Sequence, residues 1–339
     1  MSLGASYSTI LDARVKKIYP VVKPTVVEEY SKYSNTVSWN QLQYVMTGVT
    51  GLAMGQVIAD GQVPASDAPI QGYTKTFTQA IFTNRVRLSK QSYYYLFTSK
   101  NGAKIDDNIK SQVLNLKNSI THLKNYYAQS ILANGASTSF SFTPIGGFQG
   151  SVTVDTTTAD TVALWSASHT REDGGANWSN TTTGAFSFAG LLAMRGLHAA
   201  KKDARGLPLG STLDTFMFQD SSTAFFLASS IKKTLESGKY PGATPGTTGS
   251  FVDGNPTASF EIIPLSVYGG SGTSSVQWFG FDSTMVNENF GFQYIESMPL
   301  DISDLQEDFV GNLDLIMTAT LYCQFGAADL RGWYYSTGA

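Results

Sequence analysis

Residues 103–134 read AKIDDNIKSQVLNLKNSITHLKNYYAQSILAN. Ile105, Ile109, Val113, Leu116, Ile120, Leu123, Tyr127 and Ile131 recur at steps of three or four, the spacing of an amphipathic helix. Asp106 and Asp107 suit the positive N-terminal end of such a helix, and Asn134-Gly135 is a stop signal. At 1.5 Å per residue the helix runs roughly 45 Å, long against the usual three turns and suited to a spine. Near the C-terminus a second long element shows the other periodicity. Leu313, Leu315, Met317, Ala319, Leu321, Cys323 and Phe325 alternate with Asp314, Thr318, Thr320 and Gln324. This predicts a half-buried strand of roughly 40 Å. A long helix beside a long strand implies an elongated α+β body.

Outward from the spine, residues 1–48 read as an extended arm. Pro20 and Pro24 break any long helix, yet Val21, Val22, Val26, Val27, Tyr30, Tyr33 and Trp39 are too apolar for a free tail. The arm is expected to lie on another surface. Residues 49–98 read as a long β-hairpin with an outgoing strand over 52–58. Its tip carries Asp60-Gly61, Pro64, Asp67 and Pro69. The return strand starts at Gly72 and sets Tyr73, Lys75, Phe77, Gln79 and Ile81 on one face. Such a ribbon is unstable alone and its edges need a partner. Ser187 is the expected cap of a helix ended by Gly206 and Pro208, with Lys201, Lys202 and Arg205 at its negative end. Asp220 is the expected cap of a second helix ended by Gly238 and Pro241. Short strands are expected at 260–264 and 276–281, and the acidic stretch 301–308 reads as a solvated turn.

Composition narrows the function. Of 339 residues, 42% are hydrophobic but only 14% charged, with a formal net charge of −3. Ser and Thr fill roughly a fifth of the chain, where soluble proteins usually carry charges. Such a surface repels copies of itself weakly, which hints at a chain built to pack against other chains. A single cysteine, Cys323, excludes a disulfide framework. The acidic balance argues against a dedicated nucleic-acid binder, and no apolar run approaches the length of a membrane span. Arg14, Lys16 and Lys17 interrupt any N-terminal signal core, so use in a cytoplasm is expected and the sequons at Asn177 and Asn180 are idle.

No residue pattern assembles an active site. Gly146-Gly147-Phe148-Gln149-Gly150 lacks the strand-turn-helix setting of a phosphate loop, and Gly238-Lys239-Tyr240 lacks its Ser or Thr. Ser166, Ser168 and His169 sit in a polar turn without a nucleophile elbow, so a structural hydrogen bond is expected there. His198 is expected on a half-exposed helix flank and His122 on the surface. Asp301, Asp304, Glu307 and Asp308 do not match the spacing of a calcium loop. Tyr93-Tyr94-Tyr95 and Trp333-Tyr334-Tyr335 have no basic groove beside them and read as packing or interface aromatics. No cofactor, metal or enzymatic activity is expected.

Four stretches, taken in order, carry a resemblance. They are DAPIQGYTKTFT at 67–78, the helix ending SILANG at 130–135, LWSASH at 164–169 followed by GGAN at 174–177 and the Ser187 helix, and FGAADLRGWY at 325–334. From about residue 50 onward the chain resembles the major capsid protein of tailed bacteriophages with the Hong Kong 97-type fold, within its Mu-like head-subunit branch. The resemblance implies an N-terminal arm over 1–48 and an extended loop over 49–98. A peripheral domain would take 99–186 and 291–339 with the spine helix, and an axial domain 187–290. It further implies hexamers and pentamers closing an icosahedral shell around double-stranded DNA contacted non-specifically. A separate scaffolding protein, a portal, no membrane, assembly in a host cytoplasm and a place in the virion go with it. An encapsulin-like nanocompartment is the alternative on the same fold. Candidate contacts between subunits are Trp39, Asp60, Lys75, Phe77, Arg85, Arg87 and Arg331. Lys75 or Lys90 with Asn312 is a conceivable crosslink that no motif marks. Arg331 is expected to pair with an acid, with Asp329 nearby.

Overall fold

The computed structural model describes residues 12–49, 71–89, 102–146, 150–236, 260–268, 272–286, 291–303, 306–307 and 315–338, with short runs between 51 and 69. Helix α1 (12–18) and strands β1 (Ser34–Ser38), β2 (Gln43–Val49), β3 (Gln71–Thr78) and β4 (Ala80–Leu88) precede the spine helix α2 (Gly102–Asn134). After it come β5 (Ser139–Phe142), β6 (Val152–Asp155), β7 (Thr181–Thr182), helix α3 (Phe188–Ala199), β8 (Thr215–Gln219) and helix α4 (Thr223–Glu236). Strands β9 (Glu261–Leu265), β10 (Trp278–Phe281), β11 (Phe292–Ile302), β12 (Gln306–Glu307), β13 (Leu315–Gly326) and β14 (Trp333–Ser336) complete the order.

The α2 stripe is buried as its spacing predicts, at Ile109, Val113, Leu116, Ile120, Tyr127 and Ile131. It meets the buried face of β13: Leu321, Cys323 and Phe325 share one core cluster with Ile120, Tyr127, Ile131 and Leu132. Tyr127 packs 5.8 Å from the Phe325 ring and 4.7 Å from Phe142. Its hydroxyl donates to Gln324 Oε1 at 2.7 Å, which satisfies the polar end of a fully buried ring. Each such large side chain adds about 1.5–3 kcal/mol by leaving water. In the first sheet β1 pairs parallel with β11, β11 pairs antiparallel with β13, and β4 runs antiparallel along β13 from Leu88↔Leu315 to Ala80↔Cys323.

The second sheet has the order β7-β14-β10-β8-β9 and is covered on both faces. Met217, Phe279 and Tyr335 point into the core shared with α2. Phe216, Phe218, Trp278 and Tyr334 point into a second core under Leu191 and Met194 of α3 and Ala228, Ile231 and Leu235 of α4. Gly280 makes this layering possible, because a Cβ there would lie 2.6 Å from Phe216 Cε1. Ser187 caps α3 as expected, its hydroxyl accepting from Gly190 N at 3.0 Å.

Several expectations are corrected. The arm does not need a foreign surface, since residues 14–30 bind the chain's own spine and 34–38 pair with β11. Lys117 Nζ donates to the carbonyls of Tyr19 and Val22, and Asn118 Oδ1 accepts from Thr25 N. Asn125 accepts from Glu29 N at 3.0 Å and donates to Val27 O at 2.8 Å. Tyr30 and Tyr33 then enter the main core. The hairpin's outgoing strand is β2, from Gln43↔Thr78 to Val49↔Gln71, and not 52–58, whose described positions lie outside strands. The expected face from Tyr73 to Ile81 breaks at Gln79. There the chain leaves β2 and joins the first sheet as β4, so Phe82 is buried and Ile81 is exposed. The acidic stretch is partly strand: 301–302 end β11 and 306–307 form β12. Ser222, not Asp220, caps α4 by accepting from Phe225 N. His198 is buried. The expected division at 187 and 290 cuts through the second sheet, because β7 and β14 from outside that interval pair within it. Leu313, Lys90, Tyr93-Tyr94-Tyr95, Asn312 and Gly238-Lys239-Tyr240 lie outside the described residues.

Asn125 is the hinge-pin of the docked arm. Asn125→Ala is expected to lower unfolding free energy by about 2 kcal/mol, as buried hydrogen-bond partners are lost, and to hasten tryptic cleavage at Lys16 and Lys17. Denaturant titration and timed proteolysis measure both. Unchanged values would show that the arm does not rest on α2.

Candidate functional site

The most distinctive surface is built from the hairpin and the body beneath it. The stem rests inward. Met46 and Phe77 form a small buried cluster with Ile295 and Ala328. Lys75, only 7% exposed, reaches Asp155 Oδ2 at 2.5 Å and Thr157 Oγ1 at 2.6 Å. Among the described residues the ladder reaches Val49↔Gln71. The described positions of 51–69 are non-strand and exposed, and they carry apolar side chains: Leu52 is 56% exposed, Met54 73% and Val63 90%. Asp60 is exposed among them. Several large apolar side chains thus stand exposed close together in the sequence, as they commonly do at contact surfaces.

A cleft of about 610 Å³ lies under the base of this segment. Its walls are Met46, Gly48, Gly51 and Tyr73 of the hairpin against Asp160, His169, Glu172, Asp203, Asp329 and Arg331. Arg331, 3% exposed, donates from Nη2 to Glu172 Oε2 at 2.8 Å and lies 2.9 Å from Asp329 Oδ2 through Nε. Burial raises the Asp329 carboxyl above its ordinary value while Arg331 opposes that rise. The other oxygen of Glu172 faces the hairpin: a Cβ on Gly72 would sit 2.8 Å from Oε1. His169 is held by Asp160 Oδ2 at 3.0 Å and stacks on Trp178 at 4.3 Å. Burial works against the Asp160 charge, but hydrogen bonds from His169 and Thr158 outweigh it and take its pKa down to about 2.

Chemically the cleft is lined by ion pairs, Arg331 with Glu172 and Asp329 and His169 with Asp160, while His169 Nε2 and Trp178 Nε1 are buried without a hydrogen-bond partner among the described residues. The Ser166 hydroxyl accepts from Ser168 N and the Ser168 hydroxyl from Asn177 Nδ2, so the two serines beside His169 are engaged in turn structure. Among the described residues no cluster of three His, Cys, Asp or Glu side chains suits a metal ion. Burial pushes the Cys323 thiol up to about 12. Among the described residues no helix is long and apolar enough to cross a membrane.

The seven expected contact residues divide. Trp39, Asp60, Arg85 and Arg87 are exposed. Trp39 donates from Nε1 to Gln43 O at the start of the hairpin. Lys75, Phe77 and Arg331 are corrections, because each is buried against its own subunit by the contacts above. Lys75 is therefore also unsuited to a crosslink. Arg331 takes both Asp329 and Glu172, the second from 159 residues away. Two further basic residues went unread. Lys201, expected at a helix end, is buried between the Tyr334 and Trp178 rings and donates to the carbonyls of Arg331 and Trp333. Arg205 contacts the exposed segment itself. Neither had a signal beyond a basic residue following a helix.

His198 sits one turn before this group, with Nε2 2.6 Å from Ser211 Oγ. Burial, then the Lys201 charge, take its pKa down to about 3. The fold favours the neutral ring, so stability is complete above the unfolded value near 6.5 and is lost as pH falls from there toward 3. His198→Gln is expected to flatten that loss between pH 6.5 and 4 by up to about 1.4 kcal/mol per pH unit. Urea unfolding at stepped pH measures it, and parallel wild-type and variant curves would refute the assignment. Asp160, with its value near 2, contributes below pH 4.

No family model matches the sequence, and no curated protein matches it. Solved structures do. The chain is similar to the capsid of an empty GTA particle computed with C5 symmetry, at 10% identity over 93% of this chain and 94% of that one, with a TM-score of 0.52. It also aligns with a structure from Mycobacterium phage Ogopogo, at 12% identity, 93% and 92% coverage and a TM-score of 0.42. A third match is the holo-SrpI encapsulin complex from Synechococcus elongatus PCC 7942, at 10% identity, 93% and 89% coverage and 0.46. The first likeness carries the fold: the chain has the Hong Kong 97-type α+β architecture over the 93% of its length that aligns.

Proposed function

We propose that this chain is a major capsid protein whose copies form the hexamers and pentamers of an icosahedral shell around viral double-stranded DNA. The observation that carries the reading is the shared fold over nearly the whole of both chains with a capsid subunit. The exposed apolar segment supports it, since Met54, Val57 and Val63 stand largely bare and Leu52 and Ile58 about half bare on the subunit. Laid across a neighbouring copy they lose that exposure, and a ring of such heterologous contacts closes. Trp39, Asp60, Arg85 and Arg87 are the surface residues proposed to join it. The stem, arm and spine form the peripheral part, and the second sheet with α3 and α4 forms the axial part gathered at each ring centre. A net charge of −3 suits a container that touches DNA non-specifically without gripping it. The subunit works without cofactor or catalysis, alongside a separate scaffolding protein and a portal. It is assembled in a host cytoplasm and ends in the virion. The Mu-like branch is the proposed affiliation, resting on the four sequence stretches.

Electron microscopy of the purified chain tests this. Closed shells are expected, with nuclease-protected DNA when they form during infection. Shells holding a protein cargo and no DNA would instead mark a nanocompartment, and a monomer at every concentration would overturn both. Replacing residues 54–63 by a short Gly-Ser linker is expected to abolish shells while leaving the thermal unfolding of the isolated subunit unchanged. Analytical ultracentrifugation and calorimetry read the two outcomes. Unfolding of the subunit by this replacement would show that the segment packs on its own body.

A further inference from the structure

Arg205 stands where the hairpin ladder ends. The outermost backbone pair of the stem among the described residues is Val49↔Gln71. One guanidinium then bridges the two limbs: Nε donates to Gly51 O at 3.1 Å, and Nη2 donates to Ala68 O at 2.7 Å and Asp67 Oδ1 at 3.2 Å. The Arg205 side chain is itself only 18% exposed. The turn that presents it is tightly built. Asp203 Oδ1 accepts from Arg205 N at 2.9 Å and Leu207 N at 2.8 Å, Asp203 N donates to Leu207 O, and Gly206 closes the turn at a φ of 82°. This turn follows α3, so the contact ties the exposed segment to the α3 side of the molecule and not to the sheet from which the hairpin grows.

We infer that Arg205 is a positioning residue that holds Gly51, Asp67 and Ala68 together at the base of the exposed segment, and so sets which part of a neighbouring copy the exposed Leu52, Met54 and Val63 meet. The planar fork is what the job requires, since it reaches carbonyls on both limbs and a carboxylate at once; a lysine ammonium offers charge without that fixed geometry. The assembly consequence rests on the shell reading above, whereas the positioning itself is a property of one subunit.

The test separates the two. Spin labels are placed at Gln62→Cys and Ser230→Cys, with buried Cys323 left unlabelled, and the distance distribution is measured on unassembled subunits. A single narrow distribution is expected for Arg205, a broad one for Arg205→Ala, and an intermediate one for Arg205→Lys. Thermal unfolding is expected to stay close to wild type. Shell yield is expected to fall about tenfold or more in Arg205→Ala, as befits loss of charge-assisted bonds, with partial rescue by Arg205→Lys. Equal distributions in Arg205 and Arg205→Ala would overturn the inference. If Arg205→Ala does not fold, the comparison with Arg205→Lys decides on the same criterion. A broadened distribution in a chain that never forms shells would uphold the positioning role and sink the shell reading instead.

Discussion

The structure depends on one contact: the apolar stripe of a 33-residue helix laid on the buried face of a 12-residue strand. Around Tyr127, Phe142 and Phe325 that contact creates a core long enough to serve three separate elements. The second sheet leans on it through Met217, Phe279 and Tyr335. The β5–β6 ribbon covers it through Phe142 and Val154. The arm closes it through Tyr30 and Tyr33. Remove the stripe and each of these loses the surface that orders it.

Polar side chains finish what the stripe begins. Lys117, Asn118 and Asn125 lie beside the apolar face of α2 and bind backbone groups of the arm. Their partners are carbonyls and amides that would otherwise be solvated, so each bond adds modestly and the set adds by number. The hairpin follows the same logic. Its stem is anchored by an apolar cluster and one buried lysine, and the base of its outer segment is held by Arg205.

What could be read from the sequence follows from burial on one side only. α2 and β13 each have one buried and one wetter face, so their periods of 3.6 and 2 are visible. Ser187 announced its helix because a cap is a local device. β8, with TFMFQ, and β14, with WYYS, are buried on both faces and show no alternation, which is why no strand was expected at either. The fate of Lys75, Phe77 and Arg331 depended on partners 80 to 159 residues away for the two charged members, a distance no local pattern spans. Lys201 was unreadable for the same reason: its environment is made by Trp178, Tyr334 and two carbonyls from the end of the chain. Trp39, Asp60, Arg85 and Arg87 were legible as surface groups, and they are exposed among the described residues.

The hand-over at Gln79 has a mechanical meaning. Its side chain donates to Gln41 O and accepts from Ser297 N, pinning the crossing point between hairpin and sheet. Immediately beyond it, β4 is stitched to β13 by a continuous register from Ala80↔Cys323 to Leu88↔Leu315. Tension drawn along the hairpin therefore loads that seam in shear, with its cross-strand bonds strained together, and does not peel them one at a time like a zip. Internal pressure in any closed vessel made of such units would load that seam along its length.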